Sequence, residues 1–192
     1  EEEKRHDNCS SANRIRENQE LIHRVLDFWF GSHSVPNSQK KLWMIAQQSV
    51  ELRNTVDKQI AAEFGQILLE LATGRRSEWY TDESLYGYNS KLAAIVVLDQ
   101  FSRHVHRFLD TCSSSLLVLR EHLPEQSVMD SLAYDISVRF FEIHERQVET
   151  GMIPAHCVIF ALMPYRHQST IETVEFTQQR TEHLDVLLQQ FS

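Results

Sequence analysis

Apolar residues recur every three or four positions along most of the chain, and no run alternates convincingly with period two. That spacing lays apolar side chains on one stripe of a helix and gives a half-buried strand no face to bury. From Asn13, the residues Ile15, Ile22, Val25, Leu26 and Trp29 define a first helix, with Gly31 placed to close it in the left-handed conformation. Beyond a loop carrying Pro36 and Asn37, one long stripe or two abutting helices run through Trp43, Val56, Ile60, Phe64, Ile67, Leu68 and Leu71 to Gly74. A polar connection with Trp79 and Tyr80 follows, and Asn89 or Ser90 is placed to cap the next helix, whose core is LAAIVVLDQFSRHVHR at 92–107.

Serines 113 to 115 can cap a short helix through Leu119, which Pro124 closes off. Val128, Leu132, Ile136, Phe140, Ile143 and Val148 predict an amphipathic helix ending at Gly151. Pro154 fits the first turn of the helix PAHCVIFALM, apolar on nearly every side and so expected to be central, and Pro164 is expected to stop it. Ile171, Val174, Thr181, Leu184 and Leu188 describe a last helix. The reading is an all-α fold of antiparallel helical hairpins joined by short loops, without an internal repeat of fixed period. A disordered segment is expected over 1–12 and a single helical domain over 13–192.

Composition sharpens this picture. With 5 Gly and 4 Pro among 192 residues, the chain is poor in the turn residues that many-stranded folds need. The formal charge of −8 and the scattering of its 19 Lys and Arg argue against a nucleic-acid partner. No apolar run is long enough to span a membrane, and no targeting segment is visible. Three widely spaced cysteines suit reduced thiols in the cytoplasm rather than disulfides or structural zinc.

The chemistry concentrates at one helix end. At about 100° per residue, the stripe that begins with Leu92, Ile95 and Val96 continues into Asp99, Arg103, His106 and Arg107. A face that starts in the core thus ends in charge. One reading is structural: Asp99 and Arg103 pair at i, i+4 while Arg103, His104 and Arg107 meet the negative end of the helix dipole. The other opens the face onto a groove, with Arg103 and Arg107 presenting guanidinium forks to an anion and Asp99 and Gln100 holding them. His104 and His106 point about 160° apart on a helix and cannot share an ion, so no metal site is expected. Phe28, Trp29 and Phe30 cover most of one helix's circumference and are expected to pack.

Three stretches, VLDFWFG at 25–31, FGQILLELATGRRSEW at 64–79 and LAAIVVLDQFSRHVHR, together with ALMPYRHQS at 161–169, resemble the family catalogued as domain of unknown function 924. The resemblance implies a TPR-like, α-solenoid-like array of helix pairs and carries no established activity. Asp99, Gln100, Phe101, Arg103 and Arg107 match that family's Asp-Gln-Phe-Pro-Arg-Asn motif and its following arginine, whereas Ser102 replaces the proline and His104 the asparagine. In the later Leu-Pro-x-Glu-His-Ser motif His167 matches, Arg166 replaces the glutamate and Gln168 the serine, which shifts the site toward positive charge. The resemblance also implies a further Phe-Pro-His-Arg-Asn segment beyond Ser192, so that the C-terminal part is incomplete.

Three functions remain open. The first is a binding module whose inter-helix groove takes a small anionic ligand or the acidic end of a peptide on Arg103, Arg107 and Arg166, without a cofactor. The second is an enzyme using Asp99, His104 or His167 as acid or base. In the third the cluster is structural. The sequence does not decide the oligomeric state.

Overall fold

In the computed structural model, the described residues are 2–31, 49–82, 86–111, 117–168 and 170–190, with side chains described from residue 12 onward except at 117, 183 and 186–190. All the secondary structure among them is helical. We number the helices α1 (Glu2–Phe30), α2 (Val50–Ala72), α3 (Glu78–Thr81), α4 (the continuous run Gly87–Ile95, Val96–Phe101 and Ser102–Thr111), α5 (Leu117–His122), α6 (Gln126–Glu149), α7 (Ala155–Gln168) and α8 (Ile171–Gln190). The readings that placed Trp43, Pro36, Asn37 and the serine cap at 113–115 lie outside the described residues.

The arrangement is built around α4. Every residue from Ser90 to Asp99 is at most 1 % exposed. No face of that stretch is solvated, which explains why its sequence is apolar on all sides. It packs against α1, α2, α3, α6 and α7, while α7 also meets α6 and α8. PAHCVIFALM, expected to be central, lies one layer further out, with Ile159 47 % exposed.

The ends of the helices follow local chemistry. Ser49 caps α2 by accepting a hydrogen bond from the Leu52 N–H at 3.0 Å. Gly31 closes α1 with φ at +83°, the conformation that favours glycine, and its N–H reaches the Asp27 carbonyl. At the other end α1 starts at Glu2, inside the segment read from sequence as disordered. Its opening is rich in Glu, Lys and Arg, which are good helix formers. Asn89 and Ser90 do not cap α4, which begins at Gly87, and Ser90 is buried with its hydroxyl donating to the Gly87 carbonyl.

The FWF stretch packs as expected. Trp29 is buried and meets Phe101 and Phe160 edge-on, while Phe28 lies against Phe64 and Phe101. Trp79 is fully buried, so the connection before α4 is anchored by that indole.

Three expectations need correction. In α6 the buried face is Met129, Ala133, Ile136, Ser137, Phe140, Phe141, His144 and Val148, so Ile136, Phe140 and Val148 are buried as expected whereas Val128 and Ile143 are exposed. The small Ala133 and Ser137 lie on the side turned toward α4 and α7, and the apolar stripe is rotated accordingly. In α8, Ile171 and Val174 are exposed, and Phe176 makes the contact instead, stacked on Tyr165 at 4.6 Å between ring centroids.

The third concerns Pro164, which lies inside α7 rather than ending it. A proline there removes one i to i−4 hydrogen bond and crowds the preceding turn. The Ser137 hydroxyl donates to the Ala161 carbonyl within that turn, and Tyr165 packs against Tyr134, Phe141 and Phe176. These contacts carry the helix one more turn, to Gln168.

Candidate functional site

The residues Val96–Phe101 form a π-helical turn inside α4. Its signature is the Ser102 N–H, which reaches back five residues to the Val97 carbonyl. Such turns are rare and concentrate at functional sites. This one contains Asp99, wholly buried, and it hands over to a regular helix just before Arg103.

Past the turn the charged residues separate into two clusters. In the first, Arg103 Nη2 donates to Asp130 Oδ1 at 2.8 Å and lies 2.7 Å from His167 Nδ1 and 3.5 Å from Asp99 Oδ1. His167 Nδ1 is in turn 2.8 Å from Asp99 Oδ1. Gln126 donates to both Asp130 Oδ1 and Ser102 Oγ, and Gln100 donates to Asp99 Oδ2. The Asp99 carboxylate is sealed, while Arg103, Asp130 and His167 keep 33 %, 22 % and 27 % of their side-chain exposure.

His167 Nδ1 faces two incompatible neighbours. With a lone pair it accepts from Arg103 and leaves Asp99 Oδ1 without a donor; with a proton it serves Asp99 and meets the guanidinium donor with a second donor. Asp99 Oδ1 is indeed buried without a hydrogen bond, and so is Arg103 Nε.

The second cluster belongs to α2. Asp57 receives two hydrogen bonds from Arg107 and lies 2.6 Å from His104 Nδ1. Burial lowers the His104 pKa, opposed by the hydrogen bond to Asp57 and reinforced by the charge of Arg107. Burial and the charge of Arg107 both favour the neutral imidazole, whose Nδ1 also lies 2.9 Å from Arg107 Nη2, so that it either donates to Asp57 or accepts from Arg107. Arg103 and Arg107 do not converge: at about 100° per residue Arg107 stands roughly 40° round from Arg103 and 60° from His104, and the bidentate fit to Asp57 draws it away.

Arg166 is exposed, with a contact to the Met163 sulfur. The structure thus brings together Asp99, Gln100, Arg103 and His167, sends His104 and Arg107 to another partner, and leaves Arg166 at the surface beside His167. Two cavities lie elsewhere. One of about 720 Å³ between α1 and the start of α4 is lined by Gln19, His23, Arg24, Tyr86 and Asn89 among others. Another of about 490 Å³ is lined by Arg14, Arg75 and Arg76 with Glu17 and Glu70.

A family model described as "Bacterial protein of unknown function (DUF924)" matches residues 25–190. The chain belongs to this family. No curated protein and no solved structure matches the chain. Two of the four stretches through which the sequence resembles the DUF924 family, around Asp99 and around His167, meet in space at the first cluster. At the position where the resemblance implies a proline, Ser102 supplies the N–H of the π-type bond and a hydroxyl that accepts from Gln126 and donates to the Asp99 carbonyl. A proline could supply neither.

Asp57 and Asp130 were not singled out from the sequence. Asp57 had a signal, because it falls on the buried stripe of Ile60, Ala61, Phe64 and Leu68, where an acid is expensive unless paired. Asp130 had none; it lies in the polar opening of α6, where carboxylates are ordinary.

Proposed function

We propose that the chain is a binding module whose ligand, a small anion or the acidic end of a peptide, docks where α4, α6 and α7 meet, on Arg103, His167 and Arg166. The observation that carries this reading is the mounting of Arg103. Its side chain is one-third exposed yet paired with Asp130, so little side-chain freedom remains to be lost when a ligand arrives. Arg107 drops out of the site, since Asp57 occupies its fork.

The charges set the expected strength. Asp99 and Asp130 with Arg103 sum to one negative charge when His167 is neutral, and Arg166 brings the total to zero. Binding of an anion is therefore weak and sensitive to salt. A thermal-shift screen of phosphorylated metabolites and acidic peptides tests the idea. Ligand-induced stabilisation is expected in wild type and in Arg107→Met but not in Arg103→Met; the reading fails if no ligand stabilises wild type more than Arg103→Met.

A second reading is favoured by one contact. A wholly buried Asp99 at 2.8 Å from the partly exposed His167 is the arrangement in which a carboxylate orients an imidazole for acid or base work. His104, closed in by Asp57, takes no part. Turnover whose pH profile loses a limb in His167→Gln supports it, and broad activity panels without a hit count against it.

The helical array is read as TPR-like on the sequence-order packing of α6, α7 and α8. A cytoplasmic location is read from the cysteine usage and agrees with the buried, unpaired thiol of Cys157. No described helix is long and apolar enough to cross a membrane.

A further inference from the structure

We propose that Asp99, Asp130 and His167 form a divalent-cation site, and that Arg103 is the internal cation that holds the position when no metal is bound. One donor atom from each of the three side chains lies within 4.8 Å of the others, a span that an ion coordinated at about 2.0–2.6 Å bridges. Two carboxylate oxygens and one imidazole nitrogen suit a first-row dication such as Mn²⁺. The ligands come from three helices, α4, α6 and α7, and the π turn sets the first of them.

Three features point to a metal rather than to a finished salt bridge. Asp99 is wholly buried, yet its Oδ1, aimed at the other two donors, has no hydrogen bond. His167 Nδ1 cannot accept from Arg103 and donate to Asp99 together, and His104 Nδ1 stands likewise between Arg107 and Asp57. There, however, Arg107 satisfies both carboxylate oxygens, whereas here a metal would take the His167 lone pair and the Asp99 oxygen at once. Arg103 Nη2 stands among the same three donors at 2.7, 2.8 and 3.5 Å, close to the place an ion would take, while its own Nε is buried without a partner.

Charge completes the argument. With Arg103 inside, the two carboxylates are half-compensated; a dication balances them in full. Arg103 is already one-third exposed, so its outward swing returns a guanidinium to water and gives its Nε a hydrogen-bonding partner. The inference deepens the anion-site reading, because the same move frees Arg103 for a ligand and raises the cluster from one net negative to one net positive charge. Its test uses no anion, so its failure leaves the ligand screen standing.

The experiment is Mn²⁺ titration of the chelator-stripped full chain, followed by the electron paramagnetic resonance signal of free Mn²⁺, with circular dichroism to verify folding of each variant. Wild type is expected to bind one equivalent. Asp130→Asn should weaken binding at least about tenfold, and His167→Gln, at the surface, serves the same purpose if Asp130→Asn unfolds. Arg103→Gln should tighten it by a similar factor, because the competing cation is gone. The proposal is overturned if wild type binds no Mn²⁺, if binding ignores both ligand substitutions, or if a site appears only in Arg103→Gln, since the guanidinium then owns the position outright.

Discussion

Arg107 grips Asp57 with its guanidinium, Nε donating to Oδ2 at 2.9 Å and Nη2 to Oδ1 at 2.8 Å, and so ties α4 to α2. Asp57 is 3 % exposed and also faces His104, so its removal takes a partner from a buried imidazole as well as from the fork. Asp57→Ala is expected to cost about 1–3 kcal/mol. Arg107→Met should cost at least as much, because it leaves the buried Asp57 carboxylate without its cation, whereas the Arg107 side chain, 42 % exposed, can turn to water when Asp57 is lost. Urea unfolding midpoints read both, and a loss below about 0.5 kcal/mol in Asp57→Ala would mark the pair as energetically idle.

His104 gives the fold a pH dependence with a definite sign. Its folded pKa lies below the ordinary 6.5 chiefly because it is buried, with Asp57 opposing and Arg107 reinforcing the shift. Below 6.5 the unfolded chain takes up a proton that the folded chain refuses, so stability rises with pH in that window. The contribution is complete above about 6.5 and is lost as the pH falls toward the folded value. His104→Asn should therefore flatten the loss of stability between about pH 7 and 5. Parallel curves for the two proteins would remove His104 from the explanation.

The persistence of α7 through Pro164 depends on Ser137. That serine is wholly buried, and its hydroxyl donates to the Ala161 carbonyl. Ser137→Ala removes this added bond, leaves the Ala161 carbonyl with its place in the helix ladder alone, and should destabilise by about 0.5–1.5 kcal/mol. It should also raise the hydrogen-exchange rates of amides after Pro164 more than those before it. Uniform protection along α7 would show that the aromatic contacts of Tyr165 suffice.

Cys157 is expected to be chemically silent in the folded state. Burial pushes its thiol up to about 12, so at about pH 8 only around one molecule in ten thousand carries the thiolate. In a chain with Cys9→Ser and Cys112→Ser, a thiol reagent should react only after denaturant is added. Rapid labelling of the native protein would contradict the burial of this residue.

Much of the fold was readable from periodicity alone, because α1, α2 and α6 each bury one stripe and α4 is apolar all round from Leu92 to Leu98. The faces of α6 and α8 were misjudged for a common reason. Large side chains such as Val128, Ile143, Ile171 and Val174 draw the eye, but close packing selects small residues like Ala133 and Ser137, or an aromatic such as Phe176. In the site, Asp99 and Arg103 were legible as an i, i+4 pair. Their meeting with His167 was hidden by the expectation that Pro164 ends its helix. The diversion of Arg107 was hidden because nothing local to α4 announces an acid on α2.

The π turn of α4 makes chain length itself a determinant of the site. An i to i+5 turn accommodates one residue more than an α-helix would between the same neighbours. Everything after it is out of phase with everything before it. Were the turn to close into uninterrupted α form with all its residues kept, the segment from Ser102 onward would turn by about 100°. Arg103 would then leave Asp130, and His104 and Arg107 would leave Asp57, in one step. Two clusters on two different neighbours are thus kept in register by a turn that absorbs a single surplus residue in the most deeply buried helix of the protein.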